Sequence, residues 1–218
     1  MRNPTKKETR AIVVTTDDEY QEVRWQLSDV SVSSERAKKV ALAAIMAALS
    51  MAVSPVALYL PRIPGWDIAL FDPISFFWII AFLVGGMWVG LVSVVAGTLG
   101  LFFFDPSVVG PFFKLEATLP MIIIPWLFVH YRGREKGGEY LASLKVYFGA
   151  MVIGAIIRAI IMVPTNLVAV PLLYGPGLPP DFIIAYTLVV NVSQSFWDAI
   201  VPFIVVHTSP VFNRFGMW

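Results

Sequence analysis

The sequence predicts an all-α integral membrane protein, a bundle of six transmembrane helices with both termini in the cytoplasm. Three observations predict it. Of the 218 residues, 57% are apolar and only 14% charged, whereas about a quarter of a soluble domain is charged. The charges are also unevenly placed: 13 of them fall in residues 1–36 and 18 are spread over the other 182 residues. Beyond residue 36 the chain divides into six apolar stretches at or near the ~20 residues that cross a bilayer as a helix. No alternating ten-residue pattern of a membrane barrel occurs, and helices are the other way to satisfy every backbone group in lipid.

Residues 1–36 read as a polar cytosolic tail. Ala11-Ile12-Val13-Val14 suits a short strand, and Thr16-Asp17-Asp18-Glu19 has the spacing of a capping box that starts a short helix from Asp18 to Leu27. About 36 residues cannot bury a core of their own, so the segment is expected as a flexible tail, with a docking extension for a partner as the alternative. Its polar start, without an apolar h-region, argues against a cleavable signal peptide.

The membrane domain is expected over 37–210. Span 1 runs from Ala37 to Leu60, span 2 from Ile74 to Val84 and span 3 from Gly86 to Phe104. Span 4 runs from Phe112 to Val129, span 5 from Lys145 to about Leu173 and span 6 from Phe182 to His207. Span 2 is short and meets span 3 at Gly85-Gly86, which predicts a tight helical hairpin or irregular backbone at their junction. Arg36, Lys38 and Lys39 lie before span 1, Arg132, Arg134, Lys136 and Lys145 lie between spans 4 and 5, and Arg214 follows span 6. The opposite side carries only Arg62. The positive-inside rule therefore places both termini in the cytoplasm of a multi-pass protein of the cell (plasma) membrane. The outer loops are Tyr59 to Pro73, Asp105 to Pro111 and Tyr174 to Asp181. All are rich in Pro, Gly and aromatic residues, as ordered turns are.

The same composition excludes other classes. A net charge of +1 leaves no electrostatic footprint for phosphate, so no nucleic-acid partner is expected. With no cysteine there is no disulfide framework, thiolate nucleophile or thiolate-held metal. His130 and His207 lie at the cytoplasmic interface without carboxylates at metal-ligand spacing, and no H-E-x-x-H, G-x-S-x-G or Walker A pattern occurs. Neither an enzyme, a resident cofactor nor ATP hydrolysis by this chain is expected. An internal repeat of the kind found in ion-coupled carriers is not evident.

Two stripes of small residues stand out. Span 1 carries Ala37, Ala41, Ala44, Ala48 and Ala52 on one face, widened by Ala43 and Ala47, and span 3 carries Gly86, Gly90, Ser93, Gly97 and Gly100. Small residues let helix backbones approach in lipid, where no hydrophobic drive between helices exists. The span 3 stripe reads as packing inside the bundle. The span 1 stripe is divided between that role and a surface for a second protein.

The polar residues within the spans are few, and each is costly enough to need a partner or a task. Asn191, Gln194, Ser195 and Asp198 follow i, i+3, i+4, i+7 and make one polar face on span 6. Arg158 and Asp198 lie at comparable depth on antiparallel neighbours and are expected as a buried structural ion pair. Asn166, Asn191, Gln194, Lys114 and Glu116 converge in the outer half beneath the Tyr59–Asp72 loop. Amides offer paired donors and acceptors, and Trp66, Phe71, Phe112 and Phe113 offer flat walls, with Trp66 the candidate lid. That is the inventory of a pocket for a flat small molecule with polar edges. Helix-to-helix hydrogen bonding plus an aromatic belt is the alternative.

Four segments carry a family resemblance over about residues 36–207. They are Arg36-Ala-Lys-Lys-Val-Ala-Leu-Ala-Ala-Ile-Met-Ala-Ala-Leu-Ser, Phe71-Asp-Pro-Ile-Ser-Phe, Phe82-Leu-Val-Gly-Gly-Met-Trp-Val-Gly-Leu, and Ile157-Arg-Ala-Ile-Ile-Met-Val-Pro-Thr-Asn-Leu-Val-Ala-Val-Pro-Leu-Leu-Tyr. Together they resemble the substrate-binding S components of energy-coupling factor (ECF) vitamin transporters, and the last is most similar to the riboflavin-binding members. The resemblance implies a six-helix bundle that captures a vitamin, riboflavin or similar, from outside. It also implies a transmembrane coupling protein and two ATPase subunits, with ATP used by those partners. By the same resemblance Ala43, Ala44, Ala47 and Ala48 face the coupling module, and Asn166 and Asn191 hold the ring edge. Gln194 stands where some riboflavin members have Lys, which leaves other vitamins open. A membrane scaffold without solute and a stand-alone carrier are the remaining readings.

Overall fold

The computed structural model describes residues 32–57, 59–60, 62–63, 68–104, 109–175, 177–209 and 211–218. Residues 1–31, with the expected short helix over Asp18 to Leu27, lie outside the described residues, as does Trp66. Helix α1 runs over Val32–Ala57, so the last residues assigned to the tail are already helical. A two-stranded antiparallel ribbon follows, β1 (Arg62–Ile63) with β2 (Ile68–Ala69), in the register Arg62 to Ala69 and Ile63 to Ile68. Then come α2 (Ile74–Gly85), α3 (Met87–Leu101), α4 (Val109–Arg132), a 3-10 turn (Gly137–Ala142), α5 (Leu144–Tyr174) and α6 (Pro180–Phe203). A π-helical turn (Ile204–Thr208) and the short α7 (Val211–Phe215) complete the order.

The described residues are almost wholly helical. Among them four helices, α1, α4, α5 and the run of α6 through Thr208, are long and apolar enough to cross a membrane. Helices α2 and α3 are shorter, 12 and 15 residues, or roughly 18 and 22 Å at 1.5 Å per residue.

Two compact units divide within α1, residues 1–40 and 41–218. Of the first, the described part is the opening of α1, where Glu35 and Lys39 pair at 2.9 Å one turn apart.

Helix α2 is apolar all round, as a helix surrounded by protein should be, and eleven of its residues are buried. It packs against α3, α4 and α6, while α4 packs on α5 and α5 on α6. Trp78, Ile79, Phe82 and Leu83 of α2 are the centre of the core, with Met121, Ile122, Tyr147 and Met151 from α4 and α5. The α2–α3 junction is a tight hairpin, one of the two arrangements expected at Gly85-Gly86. Gly86 has φ 85°, a left-handed conformation that a side chain disfavours, and its N–H closes α2 on the Phe82 carbonyl at 2.8 Å. The segment around α7 seals this end: Met217 N–H donates to Val84 O (2.8 Å) and Trp218 Nε1 to Leu83 O (2.9 Å). Two of the carbonyls that a helix end leaves open are thereby satisfied.

The small residues of α3 are buried contacts. A Cβ on Gly90 would lie 2.6 Å from Phe82 Cβ, and one on Gly97 would lie 2.3 Å from Trp78 Nε1 and 2.8 Å from Ser50 Oγ. Trp78 Nε1 donates to Ser50 Oγ at 2.9 Å, and Ser50 donates to Ala47 O at 2.6 Å, so Gly97 makes room for the bond that ties α1 to α2. Gly97→Val is expected to cost about 1–3 kcal/mol by overpacking. Ala96→Val, on the exposed side of the same turn, should stay within ~0.5 kcal/mol of the parent. Thermal unfolding of the detergent-solubilised variants separates the two.

On α1 the alanines divide by face. Ala43 and Ala47 are buried, 0% and 4% exposed, and Ala43 packs with Ala81 and Val89. Ala41, Ala44, Ala48 and Ala52 are exposed. Ala43 and Ala47 are therefore bundle contacts, which corrects their assignment to a partner surface. One helical step turns the face by about 100°, enough to move the adjacent Ala44 and Ala48 outward.

Candidate functional site

The polar side chains collect at the end of the bundle where α2, α4 and α5's second half meet α6. Asp72 lies just before α2. Its Oδ1 accepts the N–H of Ile74 at 3.1 Å, which fixes the carboxylate over the opening of the helix, where an anion is favoured. Lys114, in the second turn of α4, pairs with Asp72. Thr118, one turn on, donates to Lys114 O at 2.8 Å.

Arg158 of α5 is the hub. It is 3% exposed and fans its guanidinium across the polar face of α6. Nε donates to Asn191 Oδ1, Nη2 to Gln194 Oε1 and Nη1 to Asp198 Oδ2, each at 2.7 Å. The expected Arg158–Asp198 ion pair is therefore present, and the i, i+3, i+7 spacing on α6 supplies three acceptors one above another. Asp198, 1% exposed, accepts a second bond from Ser75 Oγ at 2.5 Å, which brings α2 into the network. The amides are tied back as well: Asn191 Nδ2 donates to Thr187 O (2.8 Å), Asn166 Nδ2 to Met162 O (2.8 Å) and Gln194 Nε2 to Ala69 O (3.3 Å). The last bond fastens β2 to α6. Ser195, on the same face, is buried, and its Oγ has no partner among the described residues.

Beside this network is a cavity of about 210 Å³. Lys114, Arg158, Asn166, Asn191 and Gln194 line it, together with Asp72, Ser75 and Thr118. Phe113, Met162, Tyr186 and Val190 supply its less polar walls. Of the residues expected at the site, Lys114, Asn166, Asn191 and Gln194 thus come together. Glu116 is not among the lining residues: its Oε1 receives the Thr165 hydroxyl at 2.8 Å between α4 and α5. Residues two apart on a helix do not share a face, so Lys114 and Glu116 cannot both point inward. Phe112 is likewise turned out, while Phe71 packs edge-on against Phe76 and Trp197.

Asp72 is the main residue the sequence reasoning left out. Lys114 needed an anion, and Asp72 at the start of span 2 was counted with the loop. The Asp-Pro-Ile-Ser run, a carboxylate poised to cap a helix that carries a serine one turn on, is the signal that would have found both Asp72 and Ser75.

No protein-family model, no characterised protein and no solved structure matches this chain. Among the described residues no group of three or more His, Asp or Glu side chains is placed to hold a metal ion. Chemically, the arrangement offers a partly open, electrically balanced chamber with amide and cationic donors on its walls. It suits binding: a small molecule can be held and oriented there.

Proposed function

We propose that the chain is the membrane-embedded solute-binding subunit of an ATP-driven vitamin importer of the ECF type. It captures its solute from outside and delivers it with a separate coupling protein and two ATPase subunits. The observation that carries this reading is the polar cavity between α4, α5 and α6, set in a bundle that is otherwise apolar. Polar groups within a membrane are costly and mark substrate pathways, and small-molecule sites in bundles lie between helices. On this reading α2 and α3 act as spans of a six-span topology. Both termini face the cytoplasm, the membrane is the plasma membrane, and the cavity end faces outward. Asn166, Asn191, Gln194 and Lys114 hold the solute, riboflavin being the vitamin to which the span 5 resemblance points. The exposed alanines Ala44 and Ala48 meet the coupling protein.

The test is uptake into vesicles holding the chain alone or with an ECF coupling module, offered a mixture of labelled B vitamins. Retention of one vitamin by the chain alone, with accumulation only when the module and ATP are added, is the expected result. Accumulation without the module would make the chain a stand-alone carrier. Neither retention nor accumulation would leave a scaffold.

A further inference from the structure

We infer that the part of the solute this cavity takes is an uncharged ring edge that both accepts and donates hydrogen bonds, as a ring carboxamide does, and not a carboxylate or a cation. The inference rests on the reading of the chain as a solute-binding subunit, and fixes the charge of the group it binds.

Size comes first. The cavity measures about 210 Å³. A cavity of about 150 Å³ accepts one benzene, and sites for drug-sized ligands begin near 300 Å³. One ring with short substituents fills the cavity, and the rest of a larger solute would extend through its open side.

Charge comes second. Both cations on the walls already have carboxylate partners, Arg158 with Asp198 and Lys114 with Asp72. The four charges cancel. A carboxylate arriving here finds no uncompensated cation, so its desolvation is not offset. A cation meets the same difficulty. A neutral molecule loses only the hydration of its polar atoms, which hydrogen bonds to the walls replace.

Polarity comes third. Arg158 uses three N–H groups on α6, and Lys114 uses one on Asp72. A guanidinium has five and an ammonium three, so both retain donors. Each of the three amides likewise donates one N–H to a backbone carbonyl and keeps a second. Acceptors remain as well: Asn191 Oδ1 and Gln194 Oε1 each take one bond from Arg158, and the Asp72 carboxylate takes Lys114 and the Ile74 N–H, whereas an amide oxygen accepts two bonds and a carboxylate about four. Walls with both donors and acceptors to spare suit a neutral edge that carries both, and Phe113 and Met162 offer its ring apolar contact.

The experiment is a calorimetric titration of the full chain in detergent with matched amide and carboxylate forms of pyridine and pyrimidine rings. At least one amide should bind about tenfold or more tightly than its own acid. Filling the cavity by Ala117→Met or Val190→Met should abolish amide binding in whichever variant keeps the parent's thermal midpoint. Acids binding as tightly as their amides would overturn the charge argument. Binding by no member of the panel would overturn the inference outright, and the vesicle uptake result then decides separately whether the solute-binding reading falls with it.

Discussion

Asp198→Asn will lower the stability of the detergent-solubilised protein by roughly 3–5 kcal/mol, the cost of leaving one member of a buried ion pair unpaired. Asp198 is 1% exposed and holds both Arg158, at 2.7 Å, and Ser75, at 2.5 Å. The asparagine keeps the shape but removes the charge, and Arg158 then sits buried against three neutral carbonyl groups. Arg158→Met should cost a similar amount by stranding Asp198. The double variant Arg158→Met with Asp198→Leu removes both charges. Ser75 retains the Asp72 backbone carbonyl at 3.4 Å, and the freed Asn191 and Gln194 carbonyls border a cavity where water can reach them. The double variant should therefore recover most of the loss. Thermal or denaturant unfolding of the three variants gives the coupling energy directly. Small and additive shifts would show that the pair does not hold the bundle.

The second large effect concerns α1. Ala48→Trp, on the exposed face, should leave the protein folded and its solute bound, yet abolish co-purification with a coupling protein, because a bulky ring prevents the backbone approach that small residues permit. Ala47→Trp, one position earlier, should fail differently. Ala47 is 4% exposed, and Ser50 donates to its carbonyl while accepting Trp78. A large side chain there must displace α1 from α2. The first variant is read by pull-down beside a binding assay, the second by loss of the folded protein. If Ala48→Trp assembles normally, the exposed alanines face only lipid.

Much of the fold was legible because period and composition speak directly. The apolar runs gave the helices, Gly85-Gly86 gave the hairpin, and the i, i+3, i+7 spacing on α6 gave one side of the Arg158 network. Facing was the harder part. Ala43 and Ala44 differ by one helical step, and sequence alone does not say which of two adjacent small faces a helix buries. Lys114 and Glu116 show the same limit: both are intramembrane charges on α4, but only one can look into the cavity. The Asp72 contribution was hidden because it comes from a position before a helix, where a charged residue is ordinary, and becomes informative only when tertiary packing brings Lys114 to it.

The central claim is that the chamber beside Arg158 holds a solute. Mass spectrometry of small molecules released from protein purified out of native membranes tests it most directly, for the parent and for Asn166→Ala. Asn166 is 7% exposed and lines the cavity, and its truncation leaves polar groups of a bound molecule unpaired, at about 1–3 kcal/mol, or roughly five- to 150-fold in affinity. The account predicts one small molecule in near-equal amount with the parent and a strongly reduced amount with the variant. A parent that releases none, or a variant that releases as much as the parent, would contradict it.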